Sequence, residues 1–305
     1  MTDRSPRIVV VGAGAIGRVT AGLLARAGYD LHIVCKHPEL AERIADRGLH
    51  VYGVRGEFYA PLPARAEIQE LEGKYDLALI ATKAPDMSDA ARRILPLLKD
   101  DSAVVSMQNG ICEDELAGIV GKERTIGCVV GWGATMHAPA ELEMTSTGEF
   151  VIGTLDNRPN TKIPLLREML SPMVPVVVSR NIYGHLFSKL IINSCITSLG
   201  AICGLTLGPI LAIKRIRSLF IEIIREAVKV ADAMQLRIEP YANRLDYYSF
   251  VRGEGFLADV RRHTFIRLMG VKYRRLKSSS LQSLERGRRT EVDYFNGYIR
   301  PTSSG

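Results

Sequence analysis

The segment Pro6 to Gly17, PRIVVVGAGAIG, constrains the fold more than any other stretch of the chain. Ile8 to Val11 is an unbroken β-branched run, the pattern of a strand buried on both faces of a parallel sheet. It passes directly into Gly12-Ala13-Gly14-Ala15-Ile16-Gly17, and then into an apolar-periodic stretch, Arg18 to Ala27, that reads as helix. Gly12 suits a tight turn, Gly14 lets a pyrophosphate approach the backbone, and Gly17 allows close packing of helix on strand. The helix N-terminus presents free N–H groups and a positive dipole end to an anion. With a second strand at Leu31 to Cys35, Gly12–Gly17 is expected to bind a dinucleotide. The bland alternative is a tight βα turn that binds nothing.

The second strand ends at Cys35-Lys36-His37-Pro38. Folds of this kind that bind NAD place Asp or Glu here, to hold the ribose 2′-hydroxyl. This chain has no acid before Glu39. Lys36 would meet a 2′-phosphate with a positive charge, so NADPH is the expected cofactor; the alternative is a solvated strand end. Pro38 to Arg47 reads as a helix, and Leu49 to Ala60 as a hairpin. Asp76 to Ala81 is a further buried strand, and Lys83 follows its carboxyl end, where ligands lie in open α/β sheets. Met87 to Leu98 reads as a helix. Ala103 to Met107 is a strand running into Gln108-Asn109-Gly110, where the Asn109 amide can bond a ribose or substrate hydroxyl. Glu113 to Val120 reads as a helix. Strands follow at Thr125 to Val130, Glu149 to Gly153 and Val174 to Val178, with a helix at Leu165 to Leu170. The segment from Gly131 through Pro139 carries no assigned strand. The α/β alternation stops near Ser179 to Tyr183, giving expected domains 1–180 and 181–305.

Beyond Tyr183 only helical spacing remains, at His185 to Leu199, Ser218 to Met234, a region from Ala242 to Leu268 broken by Gly253 and Gly255, and a single last helix over Ser279 to Tyr298. Lys189 and Asn193 stand four apart on one helix face. Both lie in an apolar run where an uncompensated lysine is costly. A lysine turned into a cleft can donate a proton near neutral pH; one that snorkels to the surface does nothing. Glu291 follows Arg286, Arg288 and Arg289 in what also reads as a solvated helix face.

At 305 residues and 47% hydrophobic content, two well-packed domains are affordable. Cys35, Cys112, Cys128, Cys195 and Cys203 are dispersed without metal spacing, which suits a reducing cytoplasm and no metal. Every apolar run of spanning length is interrupted by charge, so no membrane partner is expected. The first strand pattern begins by Ile8, so no signal peptide is expected. A net charge of +7 suits anionic ligands, but no stacking aromatics accompany the basic clusters, so nucleic acid is not an expected partner.

Taken together, GAGAIG, Lys83-Ala84, Gln108-Asn109-Gly110, Lys189 with Asn193, and Arg288-Arg289-Thr290-Glu291-Val292-Asp293 with Asn296-Gly297 resemble the ketopantoate reductase (2-dehydropantoate 2-reductase) family, in its order and over nearly the whole chain. The resemblance implies an α/β Rossmann-type dinucleotide-binding domain, then an all-α C-terminal domain, with the active site between them. It implies NADPH-dependent reduction of 2-dehydropantoate to (R)-pantoate, a step toward pantothenate and coenzyme A, by an oxidoreductase of the CH-OH class. It makes Lys189 the proton donor and Asn193 a substrate ligand. Ser279 becomes the residue that holds the substrate carboxylate, and Glu291 an acid near the nicotinamide ribose and Lys189. Asn109 becomes a contact to cofactor and substrate, Ala134 a backbone contact to the cofactor, and Lys36 the 2′-phosphate ligand. The expected partners are a small anionic 2-oxoacid and, among proteins, a second copy in a homodimer. The chain departs from the pattern at Thr197, where many members have a second substrate-binding Asn, at Leu276, an Asn in some members, and at Ser283, commonly Asp. It also ends sooner after Asn296-Gly297 than the pattern does. These departures leave open a reductase of another small 2-oxoacid and a non-catalytic NADPH-binding paralogue.

Overall fold

A computed structural model describes residues 5–242 and 244–299; the polar tail Pro301 to Gly305 lies outside them. The chain forms two compact units. One holds the residues up to Gln108 together with Cys112–Ile182; the other holds Asn109–Ile111 and the chain from Tyr183 onward.

The first unit is an α/β sandwich with two sheets. Its elements are β1 (Ile8–Val11), α1 (Ala15–Arg26), β2 (Leu31–Val34), α2 (Pro38–Arg47), β3 (Leu49–Gly53), β4 (Phe58–Ala60), β5 (Ala64–Arg65), β6 (Tyr75–Ile80), α3 (Ala84–Ile94), β7 (Leu98–Ser106), α4 (Glu113–Val120), β8 (Thr125–Val130), β9 (Gly133–Ala138), β10 (Glu141–Ser146), β11 (Phe150–Thr154), α5 (Lys162–Leu170) and β12 (Val176–Val178). Eight strands order as β12-β11-β8-β7-β6-β1-β2-β5. All pair in parallel except β11 with β8. The β-branched run of β1 is fully buried, as a central parallel strand requires. From β1 the chain goes to β2 on one side and later to β6 on the other, so the order reverses at the carboxyl ends of β1 and β6.

The second sheet, β4-β3-β10-β9, was only half foreseen. The β3–β4 hairpin is present, but β9 falls in the segment assigned no strand, and β10 falls between it and the strand expected from Glu149. Their hairpin turns through Pro139-Ala140, with Ala140 at φ 65°, so no glycine or asparagine signals it. This sheet covers α1, whose residues Gly17 through Leu24 are all buried. A Cβ on Gly22 would stand 3.0 Å from Val51 Cγ2, so the helix packs directly beneath β3.

The second unit is all helical: α6 (Ile182–Cys203, its first residue within the first unit), α7 (Leu207–Ala212), α8 (Lys214–Ala233), α9 (Tyr247–Val251), α10 (Phe256–Lys272), α11 (Ser279–Glu285) and α12 (Val292–Ile299). Helix α6 is long and apolar enough to cross a membrane by length and composition, and 56% of its most apolar window is buried within the fold. The expected single helix over Ser279 to Tyr298 is instead α11 and α12. Gly287, at φ 63°, ends the first of them, and Arg288 N–H returns to the Ser283 carbonyl at 2.8 Å. Helix α7 was unforeseen, because Gly208 and Pro209 disguise its six residues.

Candidate active site

In the first unit the glycine loop meets the end of β6. Gly12 has φ +113°, and a Cβ there would lie 2.5 Å from the Thr82 nitrogen. A Cβ on Gly17 would fall on the Gly12 carbonyl. Both glycines are therefore demanded by the fold itself. Gly14 is different: its nearest neighbour would be Ala81 O at 3.9 Å, so nothing in the protein forbids a side chain. An open glycine at the N-cap of the twelve-residue α1, beside N–H groups of its first turn, fits a pyrophosphate lying against the backbone. Ala13, Ala15 and Ile16 complete the loop; Ala13 and Ile16 pack on the hydrophobic core.

The first unit also carries Lys36, Lys83 and Ala134, expected to face a dinucleotide, and Gln108, for which no role was expected. Lys36 lies two residues past β2 in the left-handed region, φ 66°, with a mostly exposed side chain 4.0 Å from Asp86 Oδ2. Lys83 is the N-cap of α3, half-buried. Gln108 ties the neighbouring strand ends together. Its Nε2 donates to Ile80 O at 3.0 Å and its Oε1 accepts from Ser106 Oγ at 2.8 Å. Ala134 lies on β9, half-buried against the core and paired with Met144 of β10.

Sequence reasoning read Glu113 only as the start of a helix and gave it no role. It is completely buried at the first position of α4, and Oε2 accepts the Cys112 N–H at 2.9 Å. Burial pushes its carboxyl up to about 7, against the pull of the Ser106 hydroxyl and the backbone N–H groups of Glu113 and Cys112.

In the second unit Lys189, Asn193 and Thr197 recur every four residues along α6, so one face carries all three. Lys189 and Asn193 are half-buried and Thr197 is buried. Asn193 Nδ2 is buried with no hydrogen-bond partner among the described residues. An orphaned donor of this kind marks a place where a ligand acceptor would relieve a desolvation cost. The same helix is tied to the two last helices. Ser198 Oγ donates to Asn296 Oδ1, Asn296 Nδ2 donates to Ser194 O at 3.4 Å, and Ser278 Oγ donates to Thr197 O at 3.3 Å. Ser278 also caps α11, accepting from Leu281 N–H at 3.2 Å, which leaves Ser279 exposed at that helix's first position. Glu291 is half-buried just ahead of α12, and its carbonyl accepts the Tyr294 N–H at 3.0 Å. Asn109 belongs to this unit as well. Gly110, at φ +93°, lies so close to α12 that a Cβ would stand 2.7 Å from Tyr294 O. Asn109 and Glu291 are thereby brought to one end of α12.

Comparison with known proteins follows the same division. The family described as "Ketopantoate reductase PanE/ApbA" matches residues 8–157, and its C-terminal counterpart matches residues 181–302. A "2-dehydropantoate 2-reductase" of Pyrococcus abyssi is 30% identical over 96% of this chain and 89% of its own. One of Mesorhizobium japonicum is 30% identical over 94% and 88%. Among solved structures, a PanE/ApbA family ketopantoate reductase from Ralstonia eutropha superposes with a TM-score of 0.81 at 26% identity, covering 96% of this chain and 90% of its own. A D-mandelate dehydrogenase bound to NADH and anilino(oxo)acetate shares the fold, with a TM-score of 0.80 at 22% identity over 96% and 90%. With both halves matched and near-complete relatives at this identity, the chain belongs to the PanE/ApbA ketopantoate reductase family of oxidoreductases.

Proposed function

We propose that this protein reduces 2-dehydropantoate to (R)-pantoate with NADPH. The observation that carries the reading is the 30% identity, over 96% of the chain, to a protein named for that reaction. The open Gly14 and the Asn193 Nδ2, which has no partner among the described residues, support it from the chain's own residues. When bound, the nicotinamide supplies a hydride for the ketone carbon. Gly12 to Gly17 hold the pyrophosphate, with Lys83 and Ala134 flanking, and Lys36 meets the 2′-phosphate. Negative charge then builds on the ketone oxygen. Lys189 offsets it as an ammonium and gives that oxygen its proton. Asn193 Nδ2 donates to the substrate, Ser279 donates to its carboxylate, and Thr197 lines the pocket one turn on. Asn109 and Glu291 hold the nicotinamide ribose, with Glu291 also orienting Lys189. We place this activity in the cytoplasm, in keeping with five cysteines dispersed along the chain without metal-ligand spacing.

The test is NADPH oxidation, followed at its absorbance band, with 2-dehydropantoate and a panel of other small 2-oxoacids. Turnover with 2-dehydropantoate is expected, and Lys189→Ala should lower kcat about 10²- to 10⁴-fold while NADPH still binds. Turnover confined to another 2-oxoacid would move the substrate assignment. Bound NADPH with no turnover on any of them would end the reductase reading.

A further inference from the structure

Helix α10 packs on the second unit through Arg262, Ile266 and Gly270, all buried, with Gly270 against Leu211. At about 100° per residue, the diametrically opposite face carries Leu257, Val260, Thr264, Leu268 and Val271. Leu257 is 82% exposed, Val260 45%, Leu268 62% and Val271 60%. A helix that is apolar on both faces has a second surface to bury. The intervals along this face are three, four, four and three residues, a mean of 3.5, the spacing at which two helices interlock. They read the same in both directions.

We propose that this face of α10 pairs with α10 of a second copy of the chain, antiparallel, about a two-fold axis at Thr264. That register sets Leu257 against Val271 and Val260 against Leu268, twice over, as an isologous contact demands. It also sets Glu254 against Arg274 of the second copy at each end of the stripe. Both side chains are exposed, and among the described residues neither has an ion-pair partner in its own chain. Arg261 and Arg267 become neighbours across the pair. The Arg261 guanidinium, however, donates to the carbonyls of Ser249, Phe250 and Arg252 at 2.9, 3.2 and 3.0 Å, so its head stays with its own chain. The stripe runs about 21 Å along the helix.

Sedimentation of the full chain over a dilution series tests the pairing. A dimer is expected. Leu268→Asp should weaken it about 100-fold, from about tenfold for each of the two leucines withdrawn. Thr264→Cys should give a disulfide-linked dimer on mild oxidation, since only a residue on the axis meets its own copy. Glu254→Arg should weaken association, and adding Arg274→Glu should restore it. A monomer at every concentration, a dimer indifferent to Leu268→Asp, or a Thr264→Cys chain that does not cross-link would each overturn the proposal. Every substituted side chain is exposed, and retained NADPH binding checks that the variants fold.

Discussion

Glu113 and Arg18 are ionisable groups held where water does not reach. The Glu113 carboxyl ordinarily titrates near 4.5 and is pushed up to about 7, chiefly by burial, with the neighbouring Asp114 charge adding to the shift. Between those values the folded protein holds a proton that the unfolded chain releases. Stability is therefore fully present below pH 4.5 and declines as pH rises to 7, by about 3 kcal/mol at most. Glu113→Gln keeps the shape and removes the titration. Urea midpoints of wild type should fall between pH 5 and 8 more than those of the variant; parallel profiles would refute the linkage. Arg18 is 1% exposed beneath the second sheet. One of its amino groups donates to Met136 Sδ, while Nε and Nη1 have no partner among the described residues, and burial lowers its pKa. Nearby, burial pushes the Cys35 thiol up to about 12, so no thiolate balances the arginine. Replacing such a charge with a well-packed apolar residue is neutral or stabilising. Arg18→Met should raise the urea-derived stability by about 1–3 kcal/mol, and a loss of similar size would show that Arg18 has a use on this helix. Neither residue was legible as buried. Glu113 and Arg18 sit in helices whose sequences look half-solvated, and Arg18 meets Met136 of β9, far along the chain.

At the scale of elements, legibility follows how local the signal is. Strands β1, β6 and β8 and helices α2 and α4 were readable to within a residue or two, because unbroken apolar runs and helix punctuation lie within each. The β9–β10 hairpin was not, since β10 carries two glutamates, β9 has no β-branched run, and the turn uses an alanine at positive φ. Helices α11 and α12 merged into one because Gly287 could pass for a tolerated helical glycine; its left-handed φ is visible only in the fold. Of the candidate site, the glycine loop and the Lys189–Asn193 pair were visible as spacing, while Thr197 stood out only through the family resemblance. The seating of Asn109 beside α12 was not, because it joins residues far apart in sequence. The Asn109-Gly110 turn depends on that seating. Gly110→Ala meets both a positive φ and the Tyr294 carbonyl, a strain of about 1–3 kcal/mol. The variant should lose that much stability and bind substrate more weakly. Unchanged stability would mean that the turn is free to move off α12.

For the molecule as a whole, the division into units gives a probe of the cofactor assignment. Trp132 is the chain's single tryptophan. It is buried in the first unit, edge-on to Phe150 with ring centroids 5.8 Å apart. Its emission therefore reports the melting of the unit that carries Gly12 to Gly17 and Lys36. A ligand at 100 times its Kd stabilises the state it binds by about 2.7 kcal/mol. For a unit of this size that raises the Trp132-detected Tm by about 5–10 °C. NADPH should produce this shift at concentrations where NADH does not, because the 2′-phosphate can replace Asp86 as the partner of the exposed Lys36 ammonium, and the residues that end β2 include no acid. Lys36→Asp exchanges the charge that selects between the two dinucleotides, so the variant should be stabilised by NADH and lose most of its response to NADPH. Equal shifts from both dinucleotides in the wild type would mean that Lys36 belongs to solvent. The glycine loop would then still bind a nicotinamide dinucleotide, with the choice between the two made elsewhere.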